Sequence, residues 1–259
     1  MSTSATQVDA QLRAIAIIPA RLASERFPNK VLADATGRPM VVHVCEAAKR
    51  ARLVGRVVVA TDSTEVAEAA QTHGFESILT HDGHQNGTSR VAEAANLLGL
   101  DDDQIVVNVQ GDEPELDPAL IDAAIEALIA QGTPIATVAS PWSDADDPAN
   151  PNIVKVVCDQ RGRALYFSRS AIPFERQAGA ERLRHVGLYV YRVSFLNCSG
   201  GLHPTPLEQA ERLEQLKFLE HGYPIAVAVR PSSHTGIDTP EQYRAFVKRH
   251  TLRAEHPSP

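Results

Sequence analysis

Three cations and a hydroxyl crowd one stretch of this chain, Ile18-Pro19-Ala20-Arg21-Leu22-Ala23-Ser24-Glu25-Arg26-Phe27-Pro28-Asn29-Lys30. Arg21, Arg26 and Lys30, with Ser24 between them, suit a polyphosphate, because guanidinium and ammonium groups form charge-assisted hydrogen bonds with phosphate oxygens. The apolar run Ala14-Ile15-Ala16-Ile17-Ile18 comes just before and reads as a buried strand. A helical pattern begins near Pro39. The cations therefore occupy a loop at the carboxyl end of a first strand, where open α/β sheets present their ligands. Neither G-x-x-x-x-G-K-[ST] nor G-x-G-x-x-G occurs, so side chains rather than a tight glycine turn are expected to hold the phosphates.

Gln110-Gly111-Asp112-Glu113-Pro114 follows a second buried strand pattern. Gly111 permits close approach of the backbone to a substrate. Asp112 reads as a Mg²⁺ ligand or as part of a turn that ends the strand; beside the cationic loop, the metal reading is the one carried forward. In His234-Thr235-Gly236-Ile237-Asp238-Thr239-Pro240, Asp238 is a candidate second metal ligand. The same stretch reads as a helix start, with Thr239 as cap and Pro240 in the first turn, and the two readings are compatible. Gly83-His84-Gln85-Asn86-Gly87-Thr88-Ser89-Arg90 opens a helix whose first N–H groups can read a base edge or hold an anion. His81 and His84 read as surface histidines. Along Arg184–Arg192, the residues His185, Gly187, Tyr189 and Tyr191 share one strand face. Arg169, Glu214 and Gln215 are further polar candidates, the last two with a solvated helix face as the alternative.

Strand patterns at 14–18, 56–61, 75–79, 104–109 and 134–139 alternate with helical patterns at 39–51, 63–73, 88–98 and 117–131. The alternation predicts an α/β fold: a mostly parallel sheet covered by helices on both faces. After residue 140 the rhythm changes. Strand-like runs at 152–158, 163–167 and 185–192 have no long helix between them and suggest a small β-rich lobe or an extension of the sheet. An amphipathic helix at 206–222, a strand at 225–229 and a helix at 240–250 follow. Residues 1–12 read as a disordered extension, 13–250 as one domain with the lobe at about 150–200, and 251–259 as a tail.

The 259 residues carry a formal net charge of −7, which argues against broad binding to nucleic acid or a membrane surface. Three scattered cysteines form neither a disulfide framework nor a C-x-x-C zinc pair. No segment reads as a signal peptide or a membrane span, so a soluble cytoplasmic protein is expected.

Ile18-Pro19-Ala20-Arg21-x-x-Ser24-x-Arg26-x-Pro28-x-Lys30 resembles the opening motif of the 3-deoxy-manno-octulosonate cytidylyltransferases, the CMP-Kdo synthetases. Further segments match that family in order: Val59-Ala60-Thr61-Asp62, Val107–Pro114, Asn150-Pro151-Asn152, Tyr166-Phe167-Ser168-Arg169, Arg184-His185-x-Gly187-x-Tyr189-x-Tyr191, Pro206-Leu207-Glu208, Leu213-Glu214-Gln215-Leu216 and Gly236-x-Asp238-Thr239-Pro240. The resemblance runs from about residue 14 to 249. It implies an α/β nucleotidyltransferase fold of the nucleotide-diphospho-sugar transferase type. It also implies a homodimer that uses CTP and Mg²⁺ and activates an acidic 3-deoxy sugar for lipopolysaccharide biosynthesis. It implies that Arg21, Ser24 and Lys30 meet the triphosphate, that Gln85, Thr88 and Arg90 lie near cytosine and ribose, and that Asp112 and Asp238 hold Mg²⁺. Arg26, Gln110, Arg169, His185, Tyr189, Glu214 and Gln215 would serve the sugar, and Arg21, Lys30, Asp112 and Asp238 would carry the catalysis.

The loop at 84–90 departs from the family pattern: Asn86 stands where serine is expected and Ser89 where an acidic residue is expected. The implied reaction is in-line attack of the anomeric hydroxyl on the α-phosphorus of CTP, with no covalent enzyme intermediate. Other readings are a cytidylyltransferase for the 8-amino analogue or for another acidic sugar, and a catalytically inactive nucleotide-binding module. Loss of a metal carboxylate would mark the inactive module, and both aspartates are present.

Overall fold

The computed structural model describes residues 13–24, 26–143, 146–177, 179–233 and 236–255. The predicted extension at 1–12, together with Glu25, His234 and Thr235 of the quoted motifs, lies outside these.

The first strand, β1 (Ala14–Pro19), is buried on both faces, and its alternate side chains enter different cores. Ala14, Ala16 and Ile18 face one helical layer; Ile15 and Ile17 face the other. That two-sided burial is why the run is continuously apolar. A 3-10 turn (Lys30–Leu32) and helix α1 (Met40–Lys49) follow, then β2 (Val54–Thr61), α2 (Thr64–Thr72), β3 (Glu76–Leu79), α3 (Gly87–Leu97) and β4 (Ile105–Asn108). Next come α4 (Pro118–Gln131), β5 (Ile135–Pro141), β6 (Lys155–Cys158), β7 (Ala164–Ser168) and β8 (Leu183–Arg192). The described chain ends through α5 (Val193–Ser199), α6 (Pro206–Glu211), α7 (Glu214–Glu220), β9 (Ile225–Val229) and α8 (Pro240–Glu255). Side-chain caps start α2 and α4. The Ser63 hydroxyl accepts from Val66 N–H, and the Asp117 carboxylate accepts from Ala119 N–H ahead of Pro118.

Among the described residues nine strands form one mixed sheet with a main path β3-β2-β1-β4-β8-β5-β9. Pairs β1–β2, β1–β4, β2–β3 and β5–β9 are parallel. The long β8 is the exception. It runs antiparallel between β4 and β5, with Asn108 opposite Tyr189 and Thr137 opposite Tyr189 on its other side. Its leading end, Leu183–Arg184, stays paired with β5 and on its other edge pairs with β6, which carries the β7 hairpin. The run at 185–192 therefore extends the sheet through its centre, and the β6–β7 hairpin is a small lobe off the main path, bridged back to β9 at Arg163 and Ala226.

Two other expectations are corrected. The apolar spacing over 206–222 reads as one helix, but Arg212 sits in the left-handed region (φ 51°) and divides it into α6 and α7. The last helix continues to Glu255 rather than ending at 250, so 251–255 is helix and not tail.

A third, smaller core decides where the end of the chain lies. Ile237, Tyr243 and Phe246 pack on Met40 at the start of α1, with Phe27 alongside. The Tyr243 hydroxyl accepts from Ala35 N–H at 2.8 Å. Thr239 and Gln242 form a reciprocal cap on α8: the Gln242 side chain accepts from Thr239 N–H, and Gln242 N–H donates to Thr239 Oγ1. These contacts carry Asp238 back to the first loop of the protein.

Candidate active site

Beyond β1 the cationic loop folds over the carboxyl ends of β1 and β4. Asn29 takes a left-handed conformation (φ 56°), tolerated by asparagine, and turns the chain so that Lys30 points inward. Lys30 Nζ then donates three bonds: to Asp112 Oδ2 at 2.6 Å, to Asp238 Oδ1 at 3.0 Å and to the Ile237 carbonyl at 3.1 Å. Three donors meet three acceptors, which saturates the ammonium. Arg26 pairs with the other oxygen of Asp238 at 2.9 Å. The two aspartate segments are also joined directly, Ile237 N–H to the Asp112 carbonyl at 2.8 Å. Residues 30, 112 and 238 thus converge on one point.

That point lies in a cavity of about 790 Å³, within the range typical of small-molecule sites. Arg21, Ser24, Arg26, Lys30, Gln85, Arg90, Gln110, Asp112 and Asp238, all named from the sequence, line it. Gly111 is a tight spot: a Cβ there would lie 3.0 Å from the Pro19 carbonyl oxygen. Any side chain there would push the end of β1 away by a few tenths of an ångström, so glycine suits this close pass.

Asn86 caps α3, its Oδ1 accepting from Ser89 N–H at 2.9 Å. Thr88 is buried; its hydroxyl donates to Glu214 Oε2 at 2.6 Å and does not line the cavity. Arg90 does line it, yet is 3% exposed, and its guanidinium is held by Asp62 at 2.9 Å and Thr80 Oγ1 at 2.6 Å. His84 is not a simple surface histidine. It bridges Ser89 Oγ and the Glu93 carboxylate. The Ser89 hydroxyl donates to the Asn86 carbonyl at 3.1 Å, so this row braces the helix start and is no activated nucleophile.

Along β8 an aromatic row continues from the lobe into the helical layer: Phe167, His185, Tyr189, Tyr191 and Phe195 have successive ring centroids 5.1–5.8 Å apart. Burial pushes His185 down to about 4, so the ring is neutral at neutral pH. The Thr137 hydroxyl lies 2.7 Å from the Leu188 carbonyl and 2.9 Å from His185 Nε2, which ties the ring to β5. The buried Tyr189 hydroxyl has no hydrogen-bond partner among the described residues. Burial also raises Glu214, against the lowering effect of its Thr88 bond.

The cytidylyltransferase family model matches residues 15–227. A 3-deoxy-manno-octulosonate cytidylyltransferase from Syntrophobacter fumaroxidans is 49% identical over 91% of this chain and 96% of its own length. One from Herminiimonas arsenicoxydans is 50% identical over 87% and 94%. The chain belongs to the 3-deoxy-manno-octulosonate cytidylyltransferase family. A solved structure of CMP:2-keto-3-deoxy-manno-octonic acid synthetase complexed with CTP superposes with a TM-score of 0.86 at 38% identity, covering 94% of this chain and 99% of that one.

Within this cytidylyltransferase, the residues named for the sugar divide by position. Arg26 and Gln110 line the cavity, and Gln110 Nε2 donates to Asn108 Oδ1 at 3.2 Å. Glu214 and the buried Gln215 begin α7, so neither lies on a solvated helix face. Arg169 is engaged with backbone: its guanidinium donates to the carbonyls of Glu211, Pro151 and Arg212. Glu211 answers by accepting from Ser168 Oγ and Arg169 N–H. Residues 169 and 211 thereby clip the α6–α7 segment to the lobe. Sequence reading missed Asp62 as the partner of Arg90 and Asn86 as a partner of Glu214. For Asp62 a signal existed, a carboxylate at the carboxyl end of β2; for Asn86 only its place ahead of a helix was visible.

Proposed function

We propose that this cytidylyltransferase joins CTP to 3-deoxy-manno-octulosonate, giving the CMP-sugar and pyrophosphate, with Mg²⁺ as cofactor. One observation carries the reading: Asp112 and Asp238, from distant segments, both lie within hydrogen-bond reach of Lys30 in a cavity walled by Arg21, Ser24 and Arg26.

The residues fit the metal. Two carboxylates aimed at one point are hard oxygen donors, and Mg²⁺ completes its shell with phosphate oxygens and water. Among the described residues no cluster of three or more His, Cys, Asp or Glu could hold a metal, which suits an ion whose remaining ligands come with the nucleotide. When bound, Mg²⁺ neutralises phosphate oxygens and makes the attacking hydroxyl easier to deprotonate.

Arg21 and Lys30 stabilise negative charge on the α-phosphate and on the departing pyrophosphate. The anomeric oxygen forms a bond to the α-phosphorus as the α–β bridging bond breaks, and the hydroxyl proton is released. Arg26 offers the sugar carboxylate a planar fork. Neutral His185 keeps one ring nitrogen for a sugar hydroxyl, and the unpartnered Tyr189 hydroxyl supports the same face as the second-substrate side. The inactive-module reading is disfavoured because both aspartates reach the cavity.

The proposal includes a cytoplasmic enzyme supplying lipopolysaccharide biosynthesis. Among the described residues no helix is long and apolar enough to cross a membrane. It also includes a homodimer formed through the lobe, where Phe174 is 89% and Leu165 63% exposed.

The test is pyrophosphate release with CTP and Mg²⁺, offering 3-deoxy-manno-octulosonate, its 8-amino analogue and sialic acid in parallel. Turnover with the first sugar and CTP in preference to other nucleotides is expected. Preference for the 8-amino sugar would replace the substrate, and no release with any acidic sugar would sink the proposal.

A further inference from the structure

The amide of Asn86 has two ends and both are engaged. Oδ1 caps α3 through Ser89 N–H. Nδ2 donates to Glu214 Oε1 at 2.7 Å, while Thr88 Oγ1 takes Glu214 Oε2 at 2.6 Å. The whole carboxylate of Glu214 is thus gripped by the first turn of α3.

These contacts join two parts of the molecule that otherwise belong to different substrates. Asn86 and Gly87 sit on the wall of the cavity that holds Lys30, Asp112 and Asp238. Glu214 is the first residue of α7, on the segment clipped to the lobe by Arg169 and Glu211. Glu214 also faces Lys217 at 4.0 Å, and Lys217 faces Glu208 at 3.5 Å, so its cationic neighbour lies on its own segment, and Tyr189 and Tyr191 of β8 are near enough to feel its charge. The α7 end of the second-substrate wall therefore meets the nucleotide loop at Asn86 and Thr88.

We propose that Asn86 is a positioning residue, which fixes the Glu214 carboxylate and so sets the second-substrate wall relative to the nucleotide loop. The inference rests on reading Glu214 as part of the sugar side. Asparagine is suited to the task where serine is not. Serine caps a helix about as well, but its one short hydroxyl cannot accept from Ser89 N–H and also span to a carboxylate on another helix. Aspartate caps as well, but offers Glu214 a like charge instead of a donor.

Asn86→Ser, Asn86→Asp and Glu214→Gln, singly and as the Asn86→Ser/Glu214→Gln pair, test this in the full-length enzyme by steady-state kinetics with both substrates varied. Because all three residues at 86 cap the helix, melting temperatures should stay close to that of the unaltered protein. Asn86→Ser should raise the KM for the sugar about five- to tenfold, the scale of one partly exposed charge-assisted bond, and move the KM for CTP by less than about twofold. Asn86→Asp should raise it at least as much. The double variant should be no worse than Glu214→Gln alone, since with the carboxylate charge gone residue 86 has no charged acceptor left to position. If Glu214→Gln leaves the sugar KM unmoved, the sugar-side reading of Glu214 fails and the inference falls with it. If Glu214→Gln raises that KM while Asn86→Ser or Asn86→Asp does not, Glu214 keeps its role and the Asn86 inference is overturned. Equal rises in both KM values with a lower melting temperature would reduce Asn86 to a structural cap and overturn it as well.

Discussion

Lys30 shows how one side chain can hold a site together and take part in its chemistry. Its ammonium keeps two carboxylates side by side that would otherwise repel. Lys30→Ala should lower turnover by at least about a hundredfold, the effect of losing one preorganised transition-state donor, while circular dichroism still reports a folded protein. Near-normal turnover would remove Lys30 from the triphosphate. Asp112→Asn keeps the shape of the side chain and loses its charge. It should abolish most activity at every Mg²⁺ concentration, and recovery on adding metal would mean that Asp112 is peripheral. At this scale much was legible. Arg21, Lys30 and Asp112 could be named because each follows a buried strand closely. The engagement of Arg90 by Asp62 and Thr80 could not be read, since nothing in the local pattern of residue 90 says which acceptors surround it.

The last helix shows what an element contributes. Asp238 reaches Lys30 only because α8 is anchored on α1, and the anchor is small: Ile237, Tyr243 and Phe246 against Met40. Phe246→Ala should cost about 3–5 kcal/mol, the usual range for emptying a buried aromatic site, measured by urea unfolding. It should also weaken nucleotide-dependent Mn²⁺ binding, because Asp238 would no longer be held in place. Unchanged metal binding in a destabilised variant would separate the helix from the site. The start of this helix was readable from Thr239 and Pro240. The split of 206–222 into α6 and α7 was not. Its apolar spacing continues across Arg212, and the break is stabilised from outside, by Arg169 taking the carbonyls of Glu211 and Arg212.

Across the whole molecule, pH acts through histidines buried in the neutral form. Burial holds His185 at about 4 and, with the nearby His250, lowers His43. The unfolded chain takes up a proton near pH 6.5 that the folded protein refuses. Stability is therefore greatest above that value and falls as pH drops toward 4, by on the order of 3 kcal/mol from His185 alone. Denaturant titrations at pH 8 and pH 5 should show the loss, and His185→Gln should flatten it. An identical slope in that variant would mean the ring is not buried neutral. Exposed Phe174 is the matching lever for the proposed dimer: Phe174→Asp should shift sedimentation from dimer to monomer, and a dimer that persists would place the interface elsewhere.

Strand and helix periodicities are local properties, so the order of elements, the two-sided burial of β1, the caps and the two loop motifs were all encoded within short windows of sequence. What those windows lack is any record of partners. Only the tertiary structure inserted β8 antiparallel between β4 and β5, brought Asp112 and Asp238 onto one ammonium, and set Glu214 against the start of α3. Each of these joins segments far apart in the chain, and it forms because packing elsewhere, on the sheet or on α1, has already decided where the segments meet.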